Sequence, residues 1–381
     1  MKNNELIIGE ISPLCPECNH GLNIKWGGRE RKVQYFFGKQ RIIFIQRYKC
    51  SNCGRTFGPL PNFITKFRRF AKKALRDMVD MKLWLSSSYR KTTKWSRIHG
   101  ASPTLLWKEI QKLGQKCREA FEQLNCMFSG TVCIDEVWIR KRKGKYVYVF
   151  AAVDATYGHV IWINSCVVKA KGDKSKAAKQ FLKDLKELGC HPKVIITDGD
   201  PCYPDVISKV FPKAKHQRCI LHIKWDIEED FRTTKKLELS PELEELLECV
   251  LLVFDLKITK REAIGFLETA IQAALLIKAP GRVVKCLKDL LAKKDQLFVY
   301  LDLGTPKSNS WVESLFSFFE PIQVISRNFP NAESVRNLFT AAALHYNFTP
   351  KMDSVFEEAV PIRRAGYEGP KSLYDFLGYA V

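Results

Sequence analysis

The stretch from Gly130 to about residue 218 restricts the fold more than any other part of the sequence. Three apolar runs rich in β-branched residues, TVCIDEVWIRK, YVYVFAAVD and HVIWINSCVV, are joined by short turns and predict an antiparallel meander. They are followed by a helix in DKSKAAKQFLKDLKELG, a strand in KVIITD, a short helix near YPDVISKVF and a strand around KAKHQRCI. The order βββαβαβ predicts a mixed α/β sheet that is covered by helices.

Two aspartates stand where this predicted sheet would otherwise be apolar. Asp135 lies inside the first strand, where a lone ionised carboxylate would be costly to bury. Asp198 lies at the carboxyl end of VIIT, and a divalent cation between neighbouring strands would compensate both charges. Glu313, in the later segment SNSWVES, would complete a site of hard oxygen ligands. The sequence therefore predicts a divalent-cation site formed by three acids.

Other acids compete for these positions. Asp200 is two residues beyond Asp198, and we favour Asp198 because Asp200 falls in the turn after the strand. Glu136 points to the opposite face of its strand and is expected at the surface or in a salt bridge. Glu320, two helical turns beyond the expected third acid, is the alternative for that position. For Asp135, the alternative to a metal ligand is a structural aspartate that is hydrogen-bonded in the core.

The segment to about residue 60 carries two Cys-x2-Cys pairs around alternating strand-like runs. Such pairs are typical of a closed, tetrahedral zinc site that supports folding, and we predict a zinc ribbon that contacts DNA or a partner. Four unligated core cysteines are the alternative. The other nine of the thirteen cysteines are scattered, which indicates reduced thiols. The predicted zinc ligands are Cys15, Cys18, Cys50 and Cys53.

Residues 61–125 have a helical pattern, with Ser102 as an N-cap and Pro103 at the first helical position. Short helices around a Gly-containing turn predict a helix-turn-helix-like, DNA-binding module, and ordinary helical packing is the alternative. Cations here would contact phosphates and polar side chains would reach base edges. The predicted DNA contacts in this module are Lys66, Arg68, Arg69, Arg90, Lys91, Lys94, Thr104, Lys108 and Gln111.

The charge of the chain indicates a polyanionic partner. A formal net charge of +21 accompanies 46% hydrophobic residues in 381, so the excess of cations belongs to a globular protein. The turn IRKRKGKYV adds Arg140, Arg142 and Lys143 as predicted DNA contacts, with a solvated turn as the alternative. No apolar run approaches the ~20 residues that span a bilayer, and MKNNELIIGEISP lacks signal-peptide architecture. We expect an intracellular protein without a membrane partner.

The predicted domain organisation has five parts. Residues 1–60 and 61–125 form the two modules described above, and residues 226–298 form an all-helical insertion. In that insertion Ser240 precedes Pro241, and Thr259 and Glu262 have capping-box spacing. The catalytic core combines residues 126–225 and 299–350, and residues 351–381 form a C-terminal tail.

The three acids on a βββαβαβ core, with a helical block before the third, resemble the DDE transposases with an RNase H-like fold. The closest likeness is to the Mutator-like group and its prokaryotic insertion-sequence relatives, over about residues 130 to 350. ITDGDPCYPDVISKVFPKAKHQRCILH is similar to that group's segment with the second acid and a C-x2-H pair, here Cys219 and His222. TPKSNSWVES is similar to its third-acid segment. The group usually has Arg-Asn after the pair, where this chain has Trp225 and Asp226.

The resemblance implies two-metal nucleotidyl transfer with two Mg2+ (or Mn2+) ions, in which Asp135 bridges the ions and Asp198 and Glu313 each hold one side. It also implies binding of transposon terminal inverted repeats and target DNA, strand cleavage and strand transfer, and a homodimer or higher oligomer in the prokaryotic cytoplasm, at the nucleoid. The C-x2-H pair is expected near the active site as a structural or DNA-facing pair; a partial metal site is the alternative, for which two ligands alone are too few. A zinc-ribbon DNA-binding regulator, a catalytically retired transposase and a structure-specific nuclease are the alternatives.

Overall fold

The computed structural model describes residues 13–64, 69–140, 146–168, 171–232, 239–325, 329–350 and 360–379. The chain divides into two compact units. The first unit contains Met1–Lys116, Pro321–Ser326 and Tyr374–Val381, and the second contains Cys117–Glu320 and Arg327–Leu373. No helix in the described ranges is long and apolar enough to cross a membrane.

The first unit begins with a three-stranded antiparallel sheet, as the alternating pattern of the sequence predicts. Its strands are β1 (Asn23–Gln34), β2 (Gln40–Cys50) and β3 (Thr56–Phe57), with a single 3-10 turn (Phe36–Gly38) between β1 and β2. One face of this sheet is apolar, and its side chains pack with residues that follow β3. This small core contains Val33, Ile43, Ile45, Ile64 and Ala71.

Three helices follow in the first part of the chain, namely α1 (Lys72–Leu83), α2 (Tyr89–Ser96) and α3 (Pro103–Phe121). The predicted cap is confirmed, because the Ser102 hydroxyl accepts a hydrogen bond from the Leu105 N–H at 3.1 Å. Between α2 and α3 the chain turns through Arg97 and Gly100, whose φ angles of 53° and 83° end one helix before the next begins.

The second unit has the strand and helix order that the sequence predicts between residues 130 and 218. The strands are β4 (Thr131–Arg140), β5 (Tyr146–Asp154), β6 (Val160–Val168), β7 (Val194–Thr197) and β8 (Lys215–Arg218). They form one five-stranded sheet in the order β6-β5-β4-β7-β8. The β4–β5 and β5–β6 pairs are antiparallel, whereas the β4–β7 and β7–β8 pairs are parallel, so the sheet is mixed. The crossover helices are α4 (Lys171–Glu187) and α5 (Tyr203–Val210).

The register of the meander decides which side chains share a face. Asp135 lies beside Ala151 on β5, whereas Glu136 lies beside Phe150, so the two acids point to opposite faces. On the Glu136 face, the ring of Phe150 stacks on Phe181 of α4 with centroids 5.5 Å apart. Residues 132–134 of β4 and 194–196 of β7 are fully buried on both faces, as their continuous apolar runs predict.

The described residues between 220 and 303 are mostly helical, and the caps that the sequence predicts in this stretch are present. Ser240 caps its helix, and Thr259 and Glu262 form the reciprocal capping box. The block encloses its own apolar core, which includes Phe231, Leu267 and Phe298. The helices that follow β8 in the described residues are α6 (Ile220–Phe231), α7 (Pro241–Leu252), α8 (Lys260–Leu276), α9 (Gly281–Ala292), α10 (Lys294–Leu297), α11 (Val299–Leu303), α12 (Ser310–Ile325), α13 (Ala332–Asn347), α14 (Pro361–Arg364) and α15 (Leu373–Phe376).

Gly158, in the turn between β5 and β6, allows α12 to approach the sheet closely. Its φ is +72°, and a Cβ added there would lie 2.6 Å from the ring of Trp311. We expect Gly158→Ala to lower the free energy of unfolding by roughly 2–5 kcal/mol, because backbone strain and overpacking add. Gly189→Ala, with φ +80° and no atom within 4 Å, is the matched control. It should cost only about 1–2 kcal/mol of strain; equal losses in denaturant titrations would contradict the packing argument.

Candidate active site

Asp135 and Asp198 meet because β4 and β7 are parallel neighbours. Thr131 lies beside Val194 and Cys133 beside Ile196, and the same offset places Asp198 level with Asp135 where β7 ends. Burial, together with the negative charge of Asp198, raises the pKa of Asp135 to about 8. The two predicted acids are therefore neighbours at the carboxyl end of β7.

A second buried aspartate shows what a purely structural role looks like in the same sheet. Asp154 ends β5 and is fully buried, and its carboxylate accepts three backbone hydrogen bonds at 2.8 Å, from Ser129, Thr156 and Tyr157. Asp135 accepts one bond of that length, from the Glu136 N–H, and a longer one of 3.3 Å from a side-chain amide. Its second oxygen is thus weakly satisfied by protein, which favours a cation over the core-aspartate alternative.

The amide that reaches Asp135 belongs to Asn309, a residue that sequence analysis missed. Asn309 Nδ2 donates to Asp135 Oδ2, and the Asn309 N–H donates to the sulfur of Cys219 at 3.3 Å. Its carbonyl oxygen accepts the N–H of Glu313 at 3.2 Å in the first turn of α12. One fully buried residue thus links the first acid through its side chain, and the C-x2-H pair and the third-acid helix through its backbone. The sequence signal that could have identified Asn309 is its position in SNSWVES, four residues before Glu313.

Glu313 lies beside the C-x2-H pair. Its Oε1 is 3.7 Å from Nδ1 of His222, on the first turn of α6. Hydrogen bonding to Cys219 raises the pKa of His222 to about 9 against the opposing effect of burial, and the charges of Cys219, Glu313 and Asp135 contribute in the same direction. The alternative third acid, Glu320, is exposed on α12. The structure thus favours Glu313 over Glu320 for this pocket.

Glu136 and Asp200 are held away from this role by a shared, half-buried cation. Lys174 of α4 forms salt bridges with both carboxylates, and the Tyr203 hydroxyl donates to Glu136. The salt-bridge expectation for Glu136 is confirmed, but the surface alternative is wrong, because 6% of its side chain is exposed. Asp200 also accepts the Cys202 N–H at 2.8 Å, so its carboxylate is committed to the turn. This supports Asp198 as the second acid.

Removing the shared cation should destabilise the fold. Lys174→Met would leave two largely buried carboxylates without their partner, and we expect the free energy of unfolding to fall by roughly 2–4 kcal/mol. Lys209→Met is the matched control, because Lys209 and Asp205 form a salt bridge whose side chains are 56% and 62% exposed. That change should cost less than about 1 kcal/mol. Thermal or denaturant unfolding of both variants would compare them, and a similar loss in both would contradict the assignment.

The four paired cysteines converge in the first unit. Their sulfurs lie within 4.8 Å of one another, and the Cys15–Cys53 and Cys18–Cys50 separations are 3.7 and 3.6 Å. A tetrahedron with Zn–S bonds of about 2.3 Å has edges of roughly 3.8 Å, so the set fits zinc. The two knuckles are built alike. The carbonyls of Cys15 and Cys50 accept the N–H four residues on, from Asn19 and Gly54.

The predicted DNA contacts of the helical module lie mostly at its surface. Arg69, Arg90, Lys91, Lys94, Thr104 and Lys108 are exposed, whereas Gln111 is half-buried. Lys66, Arg68, Arg142 and Lys143 lie outside the described residues, as does the side chain of Arg140.

The groups around Asp135 are of the kind that bind divalent cations. Carboxylate and amide oxygens are the ligands that Mg2+ prefers. The Oδ1 of Asn309, whose Nδ2 donates to Asp135, is buried and has no hydrogen-bond partner within the described ranges. Such atoms normally have a donor, a water or an ion beside them. Asp135, Asp198 and Glu313 thus have the chemistry to hold the predicted ions.

Two family models match parts of the sequence. Residues 129–242 match a model described as DDE domain, whose name refers to the insertion sequence IS240. Residues 15–96 match a model described as Domain of unknown function (DUF6431). No curated protein matches the chain.

The chain is similar to a solved structure titled Drosophila P element transposase strand transfer complex. The aligned region covers 77% of this chain and 94% of the chain in that structure. It is 9% identical, with a TM-score of 0.31. The family match rests on sequence and includes Asp135 and Asp198, but ends before Glu313. The chain thus contains a segment similar to the DDE domain of insertion-sequence transposases.

Proposed function

We propose that this protein is a DDE transposase that binds transposon ends and catalyses metal-dependent cleavage and transfer of DNA strands. The observation that carries the proposal is the parallel pairing of β4 and β7, whose register brings Asp198 level with Asp135 inside the DDE-matching segment. The observed βββαβαβ order, with a helical block before Glu313, supports an RNase H-like core. The segments around the second and third acids support the Mutator-like subgroup.

The chemistry of the proposed site divides between ions and protein. Two Mg2+ or Mn2+ ions would activate the attacking oxygen and stabilise the leaving oxygen of an in-line displacement. Asp135, Asp198 and Glu313 would hold these ions. Asn309 orients the Asp135 carboxylate through its side-chain amide. Its backbone carbonyl accepts the Glu313 N–H and so fixes the start of the helix that carries Glu313. These contacts prepare the site before DNA binds.

DNA binding is proposed for the zinc ribbon and the helical module. The exposed cations of α2 would contact phosphates, and Thr104 and Lys108 lie on the exposed side of α3. The net charge of +21 supports a long DNA contact. Strand transfer requires two DNA ends at once, so we propose a homodimer or higher oligomer on DNA. A nucleoid-associated, cytoplasmic location follows from that partner.

Metal binding at Asp135 should depend on pH. Because burial raises its pKa to about 8, the metal-free native state binds a proton more tightly than the unfolded chain. The stabilisation of the native state by this bound proton is fully present below the pKa that Asp135 has in the unfolded chain. It is lost as the pH rises to about 8. Mg2+ must displace this proton, so its apparent affinity should rise about tenfold per pH unit between about pH 6 and 8.

Thermal unfolding with and without Mg2+ at several pH values would measure this effect. The stabilisation by Mg2+ should grow with pH in the wild-type protein. It should be small and flat in Asp135→Asn, which has no titrating carboxyl at this position. A stabilisation in the wild type that does not change with pH would contradict a protonated Asp135.

The direct test of the proposed function uses labelled DNA ends from the element that encodes the chain. We expect nicking at the element terminus and joining to target DNA in the presence of Mg2+ or Mn2+, and neither in EDTA. Cleavage without joining would favour the nuclease alternative. End binding without any metal-dependent cleavage would favour a regulator or a retired transposase.

A further inference from the structure

We propose that Cys219, His222 and Glu313 form a transition-metal site of the zinc class, separate from the four-cysteine site. The proposal deepens the proposed function, because Glu313 is also a proposed ligand of the catalytic ions. The C-x2-H pair alone supplies two ligands, which are too few for a stable site. Folding adds a third ligand from a helix that lies about 90 residues away in the sequence.

The local structure brings the three ligand atoms together. Cys219 is the residue before α6, and His222 lies one turn later, so both side chains point to the same side of the helix start. Glu313 lies in the first turn of α12. One ligand atom from each residue lies within 4.8 Å of the other two, and His222 Nδ1 is 3.7 Å from Glu313 Oε1. Tetrahedral zinc sites have ligand separations of roughly 3.3–3.8 Å, so small side-chain movements would close this set.

The environment of the three atoms suits a cation. His222 Nδ1 and Glu313 Oε1 are both buried and have no hydrogen-bond partner in the described part of the chain. Cys219 is fully buried, and the Asn309 N–H donates to its sulfur at 3.3 Å. An N–H bond to sulfur is a typical supporting contact for a metal-bound thiolate. A cation placed among the three ligands would satisfy the atoms that protein leaves unpaired.

The donor set selects the class of ion. Sulfur and imidazole ligands favour Zn2+ and related transition metals, whereas Mg2+ prefers oxygen ligands alone. Three protein ligands leave a fourth position for water or a substrate oxygen. Such an ion would tie α6 to α12 and fix Glu313 beside Asp135 and Asp198. The oxygen of Glu313 that does not face His222 would remain for the catalytic ions.

The test is the zinc content of the full-length protein after equilibration with Zn2+ and desalting, measured by inductively coupled plasma mass spectrometry. We expect about two zinc ions per chain in the wild type and about one in Cys219→Ser, which keeps the four-cysteine site. Cys190→Ser replaces a buried cysteine of the same unit outside the site and should retain both ions. One ion in the wild type, or two in Cys219→Ser, would overturn the proposal.

Two further measurements keep the proposal testable if Cys219→Ser folds poorly. Glu313→Gln preserves side-chain volume and should lose the same ion. With Co2+ in place of Zn2+, the thiolate-to-cobalt absorption of the wild type should exceed that of Glu313→Gln; identical spectra would count against the site. Neither measurement uses DNA cleavage. The zinc site and the transposase function can therefore fail independently.

Discussion

Replacing Asp198 with asparagine is expected to lower the rate of DNA strand cleavage by at least about 10³-fold, because a lost metal ligand removes several kcal/mol of transition-state stabilisation. Affinity for element ends should change little, since the proposed DNA contacts of the helical module lie on other parts of the chain. Single-turnover cleavage of labelled ends in Mg2+, together with a binding titration in Ca2+, would separate the two effects.

Two neighbouring acids provide matched controls for this result. Asp200→Asn removes a carboxylate two residues away that is held by Lys174, and Glu320→Gln removes an exposed carboxylate of α12. Both variants should retain most of the cleavage activity when they are folded. Full cleavage activity of Asp198→Asn, or a loss of activity in Asp200→Asn as large as the loss expected for Asp198→Asn, would indicate that Asp200 is the second acid.

The second large effect is expected at the four-cysteine site. Cys50→Ser should abolish zinc binding there and unfold the N-terminal sheet, because structural zinc sites contribute roughly 10–16 kcal/mol of apparent binding free energy to folding. The small apolar core of that sheet cannot replace this contribution. Limited proteolysis and zinc analysis should show rapid digestion of the N-terminal segment, and affinity for DNA ends should fall with it.

Cys249→Ser is the control for the cysteine change. Cys249 is exposed on α7 in the helical block, and its replacement should leave zinc content and protease resistance unchanged. A Cys50→Ser protein that keeps its zinc and resists proteolysis would mean that the four cysteines are not a metal site. The convergence of their sulfurs would then be a coincidence of the fold.

Local patterns were sufficient for most elements of the fold. The predicted caps at Ser102, Ser240 and Thr259 are present, because capping depends on side chains within three residues of one another. The meander and the parallel strands were also recognisable, since a fully buried strand must be apolar on both faces. The environment of Glu136 was harder to predict. The alternation of side chains along β4 gave its face correctly but could not show that Lys174 and Tyr203 cover it.

The sequence by itself determined the elements, the zinc-ligand spacing and the three acids that a divalent cation would need, because these depend on neighbours along the chain. Only the tertiary structure decided which groups meet. Parallel pairing of β4 and β7 puts Asp198 level with Asp135, and α12 brings Asn309 and Glu313 to the C-x2-H pair. Contacts between distant segments depend on how helices and strands pack, and no local pattern encodes that packing.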